Sequence, residues 1–141
     1  KLINLRVSCQ TLRIMSDVSM FKKIKQPLVL PFDRLSSQQK KKFKKLKILN
    51  YGLEVKLGKF NFGKNSSVAP NSLTIVYALS IANSGKAKKI YVTGLDGYPI
   101  EDPRRHEMDE TLEIYSTLKK KSELITITPS RYKIKSSSVY A

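Results

Sequence analysis

The chain has one cysteine, one histidine and only 11 acidic residues in 141, and each scarcity removes a class of protein. With Cys9 alone no internal disulfide framework can form, and this cysteine usage suits a reducing, cytoplasmic compartment. His106 alone leaves no Cys/His metal spacing, so no bound metal is expected. It stands beside Arg104 and Arg105 near the start of a helical stretch, where an exposed helix residue is a better reading than a base or a ligand. No apolar run reaches the length of a membrane span, nothing resembles a signal peptide, and no membrane partner is expected. There is no Walker loop, and Gly94-Leu95-Asp96-Gly97 is not the three-glycine dinucleotide fingerprint.

What the scarcity of acids leaves is a net charge of +16, from 27 Lys+Arg. Such a balance invites a nucleic-acid reading, and the residue types argue against it. The basic residues are 21 lysines and six arginines, whereas base and phosphate recognition favours the arginine fork. The densest run, Lys40-Lys41-Lys42-Phe43-Lys44-Lys45-Leu46-Lys47, keeps Phe43 and Leu46 at helical spacing, as a solvated helix face over a core does. Because the lysines are spread from end to end of the sequence, no specific nucleic-acid site is expected. Non-specific attraction to polyanions at low salt is.

At this length the chain makes one domain with a real core. Strand-like and helix-like stretches alternate, which predicts an α/β domain with a mainly parallel sheet. Strands are expected at residues 3–9, 28–30, 48–57, 90–93 and 124–128. Helices are expected at residues 18–24, from Ser36 or Ser37 to about Leu46, at 73–82 and from Pro103 to about Lys119. Gly58-Lys59 reads as a hairpin turn into Phe60-Asn61-Phe62, residues 63–70 as a loop, and residues 131–141 as a loose polar tail. The chain opens at Lys1, without Met, almost inside its first strand. We therefore expect it to be the C-terminal piece of a longer polypeptide.

The organising stretch is residues 71–98. Between Leu73 and Ala82 only Thr74 and Ser80 interrupt an apolar run, so this helix should be buried on most sides. Gly85 is the expected left-handed residue at its end. Ile90-Tyr91-Val92-Thr93 then has the composition of a central parallel strand flanked by helices. Gly94-Leu95-Asp96-Gly97-Tyr98 follows at once. In open α/β sheets ligands sit beyond the carboxyl ends of strands, where glycines admit close approach and a carboxylate can take ribose hydroxyls. Asp96 is either such a ligand residue or a cap of local backbone. The helix start at Asn71 and Ser72, with Ser66 and Ser67 nearby, is either an N-cap or a site for phosphate. Asp96, Glu101 and Asp102 are candidates to hold a Mg²⁺ ion that accompanies a phosphate ligand.

The block SLTIVYALSIANSGKAKKIYVTGLDGYPIEDPRRHEMDETLEIY resembles the C-terminal domain of bacterial proteins whose N-terminal half is a TIM-barrel aldolase of the HMG-CoA-lyase-like (4-hydroxy-2-oxovalerate aldolase) type. The shared residues are Gly94, Asp96, Gly97, Tyr98, Asp102, Pro103, Arg104, Glu107 and Met108. The Thr128-Pro129-Ser130 end of the last strand and Leu12-Arg13 are similar too. A weaker resemblance runs to CMP-sialic-acid-dependent bacterial sialyltransferases and to motility-accessory glycosyltransferase-like domains, on Lys88-Lys89-Ile90-Tyr91-Val92-Thr93-Gly94-Leu95-Asp96 with Tyr98. Together these imply a three-layer Rossmann-like domain with nucleotide contacts at Ser72, Gly94, Asp96 and Tyr98. Asn71 and Gly97 complete the expected ligand site, and Ser66, Ser67 and Arg104 are the expected phosphate contacts. The implied partners are a nucleotide or nucleotide sugar and an N-terminal TIM-barrel aldolase domain. A divalent metal would belong to that barrel rather than to this chain. The sialyltransferase base is a histidine well beyond the loop, and no histidine follows His106. Glycosyl transfer is therefore the alternative function rather than the leading one.

Overall fold

The computed structural model describes residues 3–138 and 140. Strands and helices alternate through most of the chain, giving an α/β fold of Rossmann-like character in which all but one of the strand pairings are parallel. The strands form three short sheets rather than one continuous sheet. In the first, β1 (Arg6–Val7), β2 (Leu28–Leu30) and β3 (Ile48–Asn50) run parallel, Leu28 opposite both Arg6 and Ile48. Between β1 and β2 lie two short helices, α1 (Thr11–Ser16) and α2 (Val18–Phe21). Leu28-Val29-Leu30 is wholly buried, as an uninterrupted apolar run between two prolines requires.

The lysine-rich helix starts as expected. Ser36 accepts from the Gln39 amide while the Gln39 side chain accepts from the Ser36 amide, a complete capping box. This helix, α3 (Ser37–Lys41), gives way to turns well short of Leu46. Adjacent lysines repel one another, and the packing of Phe43 under the sheet needs only the turn geometry.

After β3 the chain runs through Tyr51 into β4 (Gly52–Val55), so the expected long strand is present but changes partners at Tyr51. The second sheet corrects two expectations. Residues 63–70 are not all loop: Ser66–Ala69 is a strand, β6, parallel to β4. β5 (Asn61–Phe62) pairs antiparallel with β6 and not with β4, so no hairpin forms at Gly58. Local turn chemistry loses here because Ser67 and Ala69 point inward to the core between two strands that need a partner.

Helix α4 (Thr74–Ser84) buries Val76, Tyr77 and Leu79 almost completely. Each such side chain is worth about 1.5–3 kcal/mol of transfer free energy. Around this helix one apolar cluster gathers Val7, Val29, Leu53, Phe60, Tyr115, Ile90 and Leu124, so all three sheets share a core. The helix ends in a Schellman turn, with the Ala87 amide bonded to the Ala82 carbonyl and the Lys86 amide to that of Asn83. Lys86 takes the left-handed position, φ 57°, and Gly85 stays in ordinary geometry at φ −74°. The glycine is one residue early.

In the third sheet, β7 (Lys89–Val92), β8 (Glu123–Thr126) and β9 (Lys135–Ser136) are parallel. β8 occupies the middle and β7 an edge, contrary to the central place expected for residues 90–93, and Tyr91 is accordingly exposed. Helix α5 (Pro103–Thr117) joins them, with Asp102 as N-cap and Pro103 at its first position. Residues 131–136 are not a loose tail either: Tyr132 is buried and β9 hydrogen-bonds to β8. One buried aromatic and a ladder of backbone bonds are enough to fix a polar segment. Residues 139 and 141 of that tail lie outside the described residues.

Candidate functional site

A cleft of about 430 Å³ opens beyond the carboxyl ends of β1, β6, β7 and β8. This is where a sheet of parallel strands leaves its loops free to meet a ligand. One wall is the start of α4: Leu73, Thr74 and Ile75. The 94–98 loop, Arg104 and Tyr132 form the facing wall, and Gln10 and Arg13 close the side after β1.

The α4 wall presents bare backbone. Its N-cap is Leu73, which has no capping side chain. The Asn71 side chain accepts from the Leu73 amide at 3.1 Å. The amides of Thr74, Ile75 and Val76 have no acceptor among the described residues. Free N–H groups at the positive end of a helix favour an anion, and Arg13 shares the cleft with Thr74 and Ile75.

The loop wall is held from behind, one backbone group after another. Thr128 Oγ1 accepts from the Gly94 amide at 3.0 Å, and Ser130 Oγ donates to the Leu95 carbonyl at 2.6 Å. The Arg131 amide donates to the Asp96 carbonyl at 2.9 Å, and the Tyr98 amide to the Tyr132 hydroxyl at 3.2 Å. Gly97 has φ +97°, and a Cβ there would lie 2.9 Å from that of Arg131, so both conformation and space demand glycine. Burial pushes the Tyr132 phenol above its ordinary pKa and keeps it a neutral partner for the loop.

Arg105 ties this assembly to α5. Its Nη1 donates to the Tyr98 carbonyl at 3.3 Å, Nη2 to the Arg131 carbonyl at 2.8 Å and Nε to Asp109 Oδ2 at 2.6 Å. The guanidinium also lies 4.9 Å from the centre of the Tyr132 ring. Its neighbour Arg104 stacks 4.3 Å from the centre of the Tyr98 ring and donates to both Asp102 oxygens. Hydrogen bonding from Arg104 holds the Asp102 carboxyl below its usual pKa. The Asp96 carboxylate, by contrast, is exposed and engages no side chain or amide among the described residues.

Of the expected ligand residues, the structure brings Gly94, Asp96, Gly97, Tyr98 and Arg104 into the cleft. Asn71 and Ser72 precede α4 instead of forming its first turn. The Asn71 amide is spent on Thr111 Oγ1 at 2.7 Å, and the Ser72 carbonyl accepts from the Cys9 thiol at 3.2 Å. Ser66 and Ser67 lie at the opposite end of α4: Ser84, its last residue, donates to the carbonyl of Gly63, whose amide bonds to Ser66. They are too far along β6 to be phosphate contacts in this cleft, since each strand residue advances the chain by about 3.3 Å.

Gln10, Thr74, Ile75 and Tyr132 line the cleft without having been expected there. The only sequence signal for Tyr132 was an aromatic two residues before Ile134 in a mostly polar tail. His106 is exposed on α5 and is not part of the cleft lining. Asp102 is consumed by Arg104, and among the described residues no three His, Cys, Asp or Glu side chains gather at one point.

No protein family, no curated protein and no solved structure matches the chain.

Proposed function

We propose that this domain binds a nucleotide or a nucleotide sugar in the cleft between the 94–98 loop and the start of α4. The observation that carries the reading is the convergence of two bare helix amides, those of Thr74 and Ile75, with two arginines and one free carboxylate at the carboxyl ends of parallel strands. A volume of about 430 Å³ falls in the range of small-molecule sites. Phosphate oxygens suit the amides of Thr74 and Ile75 with Arg13. Asp96 suits a ribose diol, and Gly94 and Gly97 let the backbone come close. The stacked pair of Tyr98 and Arg104 offers a planar surface for a base. A Mg²⁺ ion carried by a diphosphate would meet Asp96 as the one carboxylate of the lining.

The resemblance to aldolase-linked domains makes this an accessory domain of an HMG-CoA-lyase-like parent, in surface-polysaccharide or nonulosonic-acid synthesis. Glycosyl transfer, the alternative, needs a base to activate the acceptor hydroxyl. The cleft lining holds no histidine, so the domain is proposed to bind without catalysing on its own. For the same reason residues 1–141 alone are expected to show no metal-dependent retro-aldol activity.

The test is calorimetry with CMP, UMP, GMP, AMP and their sugar conjugates at moderate salt. Asp96→Asn keeps the shape and removes a charge-assisted pair, which should cost about 1–2 kcal/mol of affinity, on the order of tenfold. If no nucleotide binds better than inorganic phosphate, or if Asp96→Asn leaves a real binder untouched, the reading fails.

A further inference from the structure

Twelve of the 21 lysines scattered along the sequence lie in the segments that lead into strands, at one end of the fold. Lys22, Lys23 and Lys25 lead into β2, and Lys44, Lys45 and Lys47 lead into β3. The two strands enter side by side, the Leu28 amide bonding to the Lys47 carbonyl at 2.9 Å. Lys64 precedes β6, Lys86 and Lys88 precede β7, and Lys119 to Lys121 precede β8.

Hydrogen bonds join the starts of β6, β7 and β8, and because β1 ends at the same cleft as these strands, its start and those of its parallel neighbours β2 and β3 lie on the side away from the cleft. Ser84 at the end of α4 donates to the carbonyl of Gly63, which precedes Lys64 and β6. Ser122 at the start of β8 donates to the Ala87 carbonyl at 2.6 Å. All of these lysines are exposed, and among the described residues none has an acid within 4.0 Å. Glu123, the acid at the start of β8, is already shared by Lys89 and Lys135.

Five of the six arginines follow strands instead: Arg13, Arg34, Arg104, Arg105 and Arg131. Guanidinium groups therefore predominate at the cleft end, with Arg6 at the start of β1 the exception, and ammonium groups at the other.

We propose that this basal lysine face docks the domain on an anionic lipid surface, with the cleft turned away from it. Charge complementarity favours lipid over nucleic acid. The face holds a single arginine, Arg6 at the start of β1 with its Nε buried, and no exposed aromatic to stack on a base, whereas proteins grip nucleic acids with arginine forks and stacking aromatics. Exposed Met20, one residue before the end of α2 and two before Lys22 in sequence, adds an apolar side chain that can enter a headgroup layer. A spanning segment is not needed for such attachment, because clustered lysines suffice near an anionic leaflet.

The experiment is flotation with vesicles of phosphatidylcholine alone and with phosphatidylserine in equal parts, with circular dichroism to check each variant's fold. Lys25→Gln/Lys47→Gln and Lys88→Gln/Lys120→Gln should each weaken binding about 25-fold, at about fivefold per lysine. Lys56→Gln/Lys59→Gln, at the far end of β4, should change it by less than about threefold, since exposed charges more than a Debye length away are screened. Binding should also fall as salt rises. Equal losses in all three variants, equal binding to phosphatidylcholine alone, or no binding at low salt would overturn the proposal. Release from the vesicles by duplex DNA or transfer RNA at equal phosphate would reassign the face to nucleic acid.

Discussion

Arg105 shows how much of the cleft depends on a single side chain. It reaches the Tyr98 and Arg131 carbonyls and Asp109, and so joins the 94–98 loop, the segment after β8 and α5. Lysine can keep the charge but cannot span three acceptors with a planar fork. Arg105→Lys should cost about 1–3 kcal/mol of stability through the lost hydrogen bonds. It should also weaken nucleotide binding, because Tyr98 loses its support. Urea unfolding and calorimetry on the same variant separate the two effects. If stability falls and the dissociation constant does not move, Arg105 is a structural residue only. Asp96 stands at the other extreme, since its carboxylate holds nothing in place and its substitution should alter binding alone.

At the scale of elements, α4 is the organiser and its two ends explain most of what happens around it. The N-terminal end leaves amides bare, which is a cost unless water or a ligand meets them. The C-terminal end closes with Lys86 in the left-handed region, where a side chain is disfavoured by about 1 kcal/mol. Lys86→Gly should therefore raise stability by about 0.5–1 kcal/mol, read as a higher urea midpoint with an unchanged slope. Gly85→Ala should be close to neutral by comparison, because its φ is ordinary and no atom lies nearer than 3.4 Å to the added carbon.

Over the whole molecule the buried phenols set a limit on alkaline stability. Burial raises the pKa of Tyr77 and Tyr115, and their hydroxyls donate to the Tyr51 and Ser122 carbonyls. A folded pKa above the unfolded value, about 10 for tyrosine, means that the contribution is complete below that pH. Above it the unfolded chain loses protons that the folded chain keeps, and stability falls. Urea unfolding followed from about pH 8 to about pH 11 should show this loss, and Tyr77→Phe should make it shallower. A flat profile in that window would mean that both phenols ionise freely in the folded protein. No helix among the described residues is long and apolar enough to cross a membrane.

The sequence by itself determined the local and the periodic. Alternating strand and helix patterns, the buried Leu28–Leu30 strand, the Asp102-Pro103 helix start and the position of α4 all follow from propensity and spacing within a dozen residues. So does the loop of Gly94, Asp96, Gly97 and Tyr98, because turn chemistry after a strand is written in adjacent residues. Tertiary structure decided what depends on distant neighbours. It made a strand of Ser66–Ala69, ordered the segment around Tyr132, set β7 at a sheet edge and sent Ser66 to the wrong end of α4 for a phosphate. It also sorted the charge. More than half of the lysines that look evenly spread fall at one end of the molecule because parallel strands start on the same side, and the loops that end them build the cleft on the other.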